Sequence, residues 1–438
     1  MKVVGLITEY NPFHNGHLYH MEQARAITGA DYCIAVMSGN YVQRGEPACM
    51  DKYLRAQIAL LSGADLVLEL PVPFATGSAE YFASGAVSLL DKLGVVDSLC
   101  FGSESGDLPL LSYVASILAD EPEEFSASLK GFLKNGLSYP AARAQALLFY
   151  LTENAKKQGL SEDCLYIGPV NALLSAPNNI LGIEYIKALN RRHSTIQPVT
   201  LKRTSDYLSK SLSAPHCSST AIRHVFLSRG SGPAGPTSQA LKTVRSCVPE
   251  QSYSLMAENF NKRLPIFVDD FSSVLFYKLL SSRDADLTDY SDISPELENR
   301  IKNQLTEITT FSQFIDSIKC KQYTRTRISR ALLHILLDIR VGDIARYKNS
   351  DYVPYARVLG FRKSAAPLLT AIKRKGRIPL ITKMADADNY LSPLGQDLLN
   401  QEVFASNLYQ SVVFHKYGYR MKNEYTYGII VEDIQDVM

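Results

Sequence analysis

"GLITEYNPFHNGHLYH", residues 5–20, decides the fold. An apolar run ends in a polar loop, and His14, His17 and His20 follow within seven positions, in a chain with eight histidines. The run reads as a strand and the residues from His17 onward as a helix. His17 then falls at a helix N-terminus, where free backbone amides and the macrodipole favour an anion. Gly16 lets a ligand approach the backbone closely. Two imidazoles there donate to phosphate oxygens and to the charge that develops as a phosphorus–oxygen bond breaks. The competing reading is a chance pair of surface histidines, but placement between strand and helix favours nucleotide chemistry. Zinc fits less well: metal histidines on one helix face sit four apart, and no carboxylate or cysteine completes a set. No metal site is expected.

The strand signal recurs outward from this stretch. "YCIAVMSG", "DLVLELP" and "VDSLCFGSE" are short runs ending in turn residues, with helical stretches between them. Such alternation implies βαβ units and a mostly parallel sheet, whose ligands bind at the carboxyl ends of the strands. Residues 108 to 160 read as helical and form an insertion. "IQPVTLKR" is a further strand, and "RGSGPAGPTS", residues 229 to 238, is the clearest flexible loop. After about residue 265 the pattern is mainly helical. No internal repeat or low-complexity tract is found. At 438 residues, two domains are expected: an α/β domain over 1–245 and a helical one over 265–438.

The cysteines number seven and are scattered, with no metal-ligand spacing, so a reducing compartment fits better than a disulfide framework. No apolar run is long enough for a bilayer, and the first apolar run breaks at Glu9, unlike a signal peptide. A cytoplasmic protein is expected, with no membrane partner.

The net charge of +2 hides an asymmetry. Lys319 to Lys383 carries 16 basic and 3 acidic side chains, which leaves about −11 for the remainder. A solvated helical surface is the bland reading; an excess this local favours a polyanion partner. Tyr323, Tyr347, Tyr352, Tyr355 and Phe361 lie in the same stretch and are candidates to stack on unpaired bases. Lys373, Arg374, Lys375 and Arg377 form its most basic cluster and are the RNA-binding candidates.

A second motif, "CSSTAIR", residues 217–223, offers Ser218, Ser219 and Thr220 as helix cap and phosphate ligands, with Arg223 one turn inside. Lys52 is a further cation near these loops, read either as catalytic or as a surface lysine. Asp51 before it is an N-cap candidate. Arg44 and Glu46 of "QRGEP" are read either as a loop-holding ion pair or as functional groups at a strand end.

The early His-x-Gly-His and late Ser-Ser-Thr-x-x-Arg resemble the nucleotidylyltransferase superfamily. "EYNPFHNGHLYH", "VMSGNYVQRGEPACMDKYLRA", "SAEYFASGAV", "FGSESG", "APNNILGIEYIKAL", "VTLKR" and "PYARVLGFRKSAAPLL" narrow the resemblance to the bacterial tRNA(Met) cytidine acetate ligase family, over nearly the whole chain. The resemblance implies a Rossmann-like nucleotidyltransferase domain followed by a mainly helical domain that binds tRNA. It implies a ligase that activates acetate with ATP as acetyl-adenylate. The acetyl group then passes to the exocyclic amine of the wobble cytidine of elongator tRNA(Met), forming a carbon–nitrogen bond. Magnesium is left open. The family's ATP-binding segment matches Ile7, Thr8, Glu9, Tyr10, Asn11, Pro12, Phe13, His14, Asn15, Gly16, His17, Leu18, Tyr19 and His20. Gly102, one of Asn178 and Asn179, and Arg203 match its remaining contacts. An anion clamp of His14, His17, Lys52, Arg203 and Arg223 is expected. Cys217 departs from the superfamily's usual isoleucine and is expected to affect packing. The alternative activity is a small-molecule adenylyltransferase of a cofactor pathway, which would not need the basic helical part.

Overall fold

The computed structural model describes residues 1–157, 167–203, 217–228, 238–305 and 309–434. The stretch 229–237, most of the expected flexible loop, lies outside them.

Each N-terminal strand signal becomes a strand: β1 (Val3–Thr8), β2 (Tyr32–Ser38), β5 (Leu66–Leu70), β6 (Ser98–Ser103) and β7 (Gln197–Lys202), with a small hairpin of β3 (Tyr41–Val42) and β4 (Glu46–Pro47) after β2. Alternate residues pack into different cores. Val3, Ile34, Val36, Leu66 and Leu68 join one buried cluster, and Val4, Leu6, Cys33, Ala35 and Val67 join another. Both faces are therefore covered, as the period of two requires for buried parallel strands. Helix α1 (Asn15–Thr28) follows β1, and helix α2 (Lys52–Leu61) follows the hairpin. The insertion is helical, with helices Leu108–Asp120, Glu123–Lys134 and Tyr139–Lys157. Among the described residues no helix is long and apolar enough to cross a membrane.

The C-terminal part is mainly helical, and a third cluster, including Phe271, Leu275, Phe314 and Leu332, is its core. It also returns strands that the sequence reading missed: β8 (Ala356–Arg362), β9 (Leu380–Ile381) and β10 (Ile430–Glu432). The sheet order is β10-β8-β5-β2-β1-β6-β7, with β9 beside β8. β8 runs antiparallel to β5, and the other pairings in this sheet are parallel. A boundary between residues 245 and 265 therefore separates the helical core from most of the sheet but cuts β8–β10 from the strands they pair with.

Two expectations are corrected here. Cys217 and Cys247 form a disulfide with Cα atoms 5.5 Å apart, because the turn Arg245–Cys247 folds back onto the start of helix Ser219–Ser228. Cys33, Cys49, Cys100 and Cys320 are free. The aromatic residues of the basic stretch are not a stacking platform. Tyr323, Tyr347 and Tyr355 are buried in the cores, and Tyr352 and Phe361 are packed against them.

Candidate active site

The carboxyl ends of β1, β6 and β7 and the hairpin after β2 surround one cavity of about 190 Å³. Ile7 to Asn11 leave β1, Val42 to Arg44 come from the hairpin, Phe101 and Gly102 from β6, and Leu201 to Arg203 from the end of β7. The first turns of α1 and of helices Pro177–Arg191 and Ser219–Ser228 close it.

The histidines are set by helix capping. His14 is the N-cap of α1, and its Nδ1 accepts from Gly16 N–H at 3.1 Å. His17 reaches back, and its Nδ1 accepts from His14 N–H at 3.3 Å. The two rings stack with centroids 3.7 Å apart. A Cβ on residue 16 would sit 3.0 Å from His14 Cε1, so glycine permits the stack. Burial, then His14, Arg203 and His20, holds His17 well below the usual histidine range. A neutral imidazole whose Nδ1 accepts carries its proton on Nε2. In both rings the Nδ1 acceptor role thus leaves the proton on Nε2. His20 lines the cavity beside Cys100, and burial, then Arg203, pushes it down to about 4.

Helix Ser219–Ser228 is docked on the same loop. Ser219 Oγ donates to the Pro12 carbonyl at 3.1 Å, and Arg223 Nη1 to the Asn11 carbonyl at 2.7 Å. Thr220 and Arg223 line the cavity with Lys202, Arg203 and Arg44. Phe101, Leu181 and Tyr185 add apolar lining. A lining that combines cations, helix N-termini and apolar rings suits a nucleoside triphosphate, with phosphates at the helix N-termini and the base on the apolar residues.

Residues 1–424 match the family described as HIGH Nucleotidyl Transferase. The tRNA(Met) cytidine acetate ligase of Acetivibrio thermocellus is 40% identical over 98% of this chain and 100% of its own length. That of Alkaliphilus metalliredigens is 38% identical over 94% and 95%. This chain belongs to the tRNA(Met) cytidine acetate ligase family. Its fold matches the crystal structure of Thermotoga maritima TmcAL bound with alpha-thio ATP, with a TM-score of 0.88 and 34% identity over 99% of this chain and 100% of that one. The apo form of the same protein gives a TM-score of 0.90 at 33% identity.

Of the residues the sequence suggested for this ligase-family site, Ile7, Thr8, Glu9, Tyr10, Asn11, His14, Gly16, His17, Tyr19, His20, Gly102, Asn178, Arg203, Ser219, Thr220 and Arg223 line the cavity. The others are not on its wall. Phe13 is fully buried against Tyr10 and His17. Pro12 offers its carbonyl to Ser219, Asn15 Nδ2 donates to the Ser246 carbonyl, and Leu18 packs on the core. Ser218 is spent as a cap, its Oγ accepting from Ala221 N–H at 3.0 Å. Asn179 is buried, and its Oδ1 accepts from Ser105 N–H. Its neighbour Asn178 is the one on the cavity wall.

Lys52 is the main correction. It is fully buried away from the cavity, paired with Glu69 at 2.7 Å, Glu424 at 3.0 Å and Glu402 at 3.6 Å. Arg357 joins the cluster at 2.7 Å from Glu69, and also pairs with Glu424. Despite burial, Lys52 and Arg357 hold Glu424 well below the usual carboxylate range. Burial and the Glu69 carboxylate hold Glu402 well above it. Two cations thus face three acidic side chains, of which Glu402 is the one driven toward its neutral form. Asp51 is the N-cap of α2, accepting from Tyr53 and Leu54 N–H.

Lys373, Arg374 and Lys375 are exposed at the end of helix Ala366–Lys375. Arg377 is paired with Asp91, and its N–H donates to the Lys92 carbonyl. These residues end helix Ala79–Lys92, from which the chain turns into β6. That is the helix end remote from the cavity. Sequence reasoning missed Arg55, whose burial gives no local signal. Its guanidinium donates to the carbonyls of Glu9 at 2.6 Å, Ser38 at 3.1 Å, Met50 at 2.9 Å and Gly39, tying the ends of β1 and β2 to the start of α2.

Proposed function

We propose that this enzyme couples acetate to ATP as an enzyme-bound acetyl-adenylate, then acetylates the wobble cytidine of elongator tRNA(Met). The observation that carries the reading is the stacked pair His14 and His17 at the N-terminus of α1, lining one cavity with Arg203 and Arg223. Acetate and the α-phosphate are both anions, so their approach needs preorganised positive charge and N–H donors. His14, His17, Thr220 and Arg223 supply these for the phosphates. Gly102, Asn178 and Arg203 hold the nucleoside against the wall of Phe101, Leu181 and Tyr185. In the transfer step the mixed anhydride is already activated, and holding the amine in line contributes most.

Lys373, Arg374 and Lys375 contact RNA phosphates at a distance from the cavity and so position the tRNA body. Labelled acetate, ATP and tRNA(Met) without acetyl-CoA test the whole reading. Label on the wobble cytidine is expected. Label only from acetyl-CoA, or none on RNA, overturns it.

A further inference from the structure

Glu9 is the one acid among the described residues lining a cavity that otherwise gathers Arg44, Lys202, Arg203, Arg223 and three histidines. Acetate and ATP are anions, and neither has a proton to lose in adenylation. A carboxylate beside them opposes that step. Yet Glu9 is held firmly in place. The Arg55 guanidinium, itself fully buried, holds its carbonyl at 2.6 Å. Gln43 N–H donates to its Oε1 at 2.9 Å. Oε2 has no hydrogen bond among the described residues, and the side chain is half-buried on the cavity wall.

The second step supplies what Glu9 fits. The exocyclic amine of cytidine is a weak nucleophile because its lone pair is conjugated with the ring, and it must lose a proton as it attacks. A carboxylate is also the side-chain group that accepts from cytosine N4–H. We propose that the Glu9 carboxylate receives the exocyclic amine of the acceptor cytidine and takes its proton during acetyl transfer. The new bond joins N4 to the acetyl carbon. The bond from that carbon to the AMP phosphate oxygen breaks, and its electron pair leaves with AMP. The proton resides on Glu9 Oε2 and passes to water. Uridine, with a carbonyl in place of the amine, meets the same carboxylate with repulsion.

The proposal rests on the ligase reading, and the test separates the two. Glu9→Gln keeps an oxygen for Gln43 N–H and removes the base. Acetate-dependent exchange of pyrophosphate into ATP reports the first step. Single-turnover transfer from preformed acetyl-adenylate to tRNA(Met) reports the second. In Glu9→Gln the loss in transfer should exceed any loss in exchange by about 100-fold or more, and Glu9→Asp should recover part of it. Equal losses in both steps, or transfer at the wild-type rate, overturn the proposal. Should Glu9→Gln fail to fold, Glu9→Ala carries the same comparison, and a transfer loss no larger than its exchange loss is decisive against a base. A wild-type enzyme that acetylates no RNA overturns the ligase reading and this one together.

Discussion

His14 and His17 derive their chemistry from the backbone. Each uses Nδ1 to accept an N–H at the start of α1, which leaves the ring proton on Nε2, and both rings line the cavity. Replacing either by alanine should slow adenylation by about 100-fold or more, read as acetate-dependent pyrophosphate exchange. Exchange at the wild-type rate in both variants would remove them from the mechanism. His20 makes a separate prediction. Its pKa is pushed from 6.5 to about 4, mainly by burial. The unfolded chain therefore binds the extra proton first, and stability is lost as pH falls from about 6.5 toward 4. Glu and Asp residues titrate in the same window, so the difference between variants is the readout. In His20→Gln the fall in melting temperature over that window should be shallower than in wild type, by up to about 3 kcal/mol of stability. Parallel curves would contradict a neutral, half-buried His20. The histidine motif was legible because its residues are consecutive and sit at a strand–helix junction. Lys52 was misread because sequence gives no sign of whether a lysine at the start of a helix faces solvent or, as here, three carboxylates.

At the scale of elements, the buried charge cluster joins α2, β5, β8, helix Pro393–Tyr417 and the segment carrying Glu424. Removing one partner of a buried ion pair leaves the other charge uncompensated, at about 3–5 kcal/mol. Lys52→Met should therefore cost about that much in denaturant unfolding. Glu402→Gln should cost clearly less than Lys52→Met, since burial and Glu69 drive Glu402 toward its neutral form and an amide matches that shape. Equal costs would show that Glu402 is charged. This cluster also explains which elements were legible. β1, β2, β5, β6 and β7 announce themselves by apolar runs between turn residues. β8 reads "ARVLGFR", with Arg357 pointing to Glu69 and Glu424, so a basic residue sits where a buried strand is expected to be apolar. β9 and β10 have two and three residues, too few for any periodicity. The disulfide partners are 30 residues apart, a spacing that carries no signal.

For the whole molecule, the sheet crosses the boundary that charge and periodicity suggested. Residues 1–245 alone would expose the β5 edge and leave Lys52 and Glu69 without Arg357, Glu402 and Glu424. That fragment should not fold, as judged by loss of a cooperative thermal transition, whereas a stable fragment would mean the C-terminal strands are dispensable. The charge asymmetry retains a functional reading only in its exposed part. Neutralising Lys373, Arg374 and Lys375 should weaken tRNA binding and flatten its salt dependence, by about one unit of slope for each phosphate no longer neutralised. Unchanged affinity across a salt titration would leave them as solvated surface.

The central claim is that one cavity, organised by His14 and His17, makes acetyl-adenylate before any RNA arrives. Exchange of labelled pyrophosphate into ATP, with acetate present and RNA absent, measures this directly. The account predicts exchange that depends on acetate and is lost in His17→Ala. Exchange that needs RNA, or that requires a different acid or a mononucleotide in place of acetate, would contradict it.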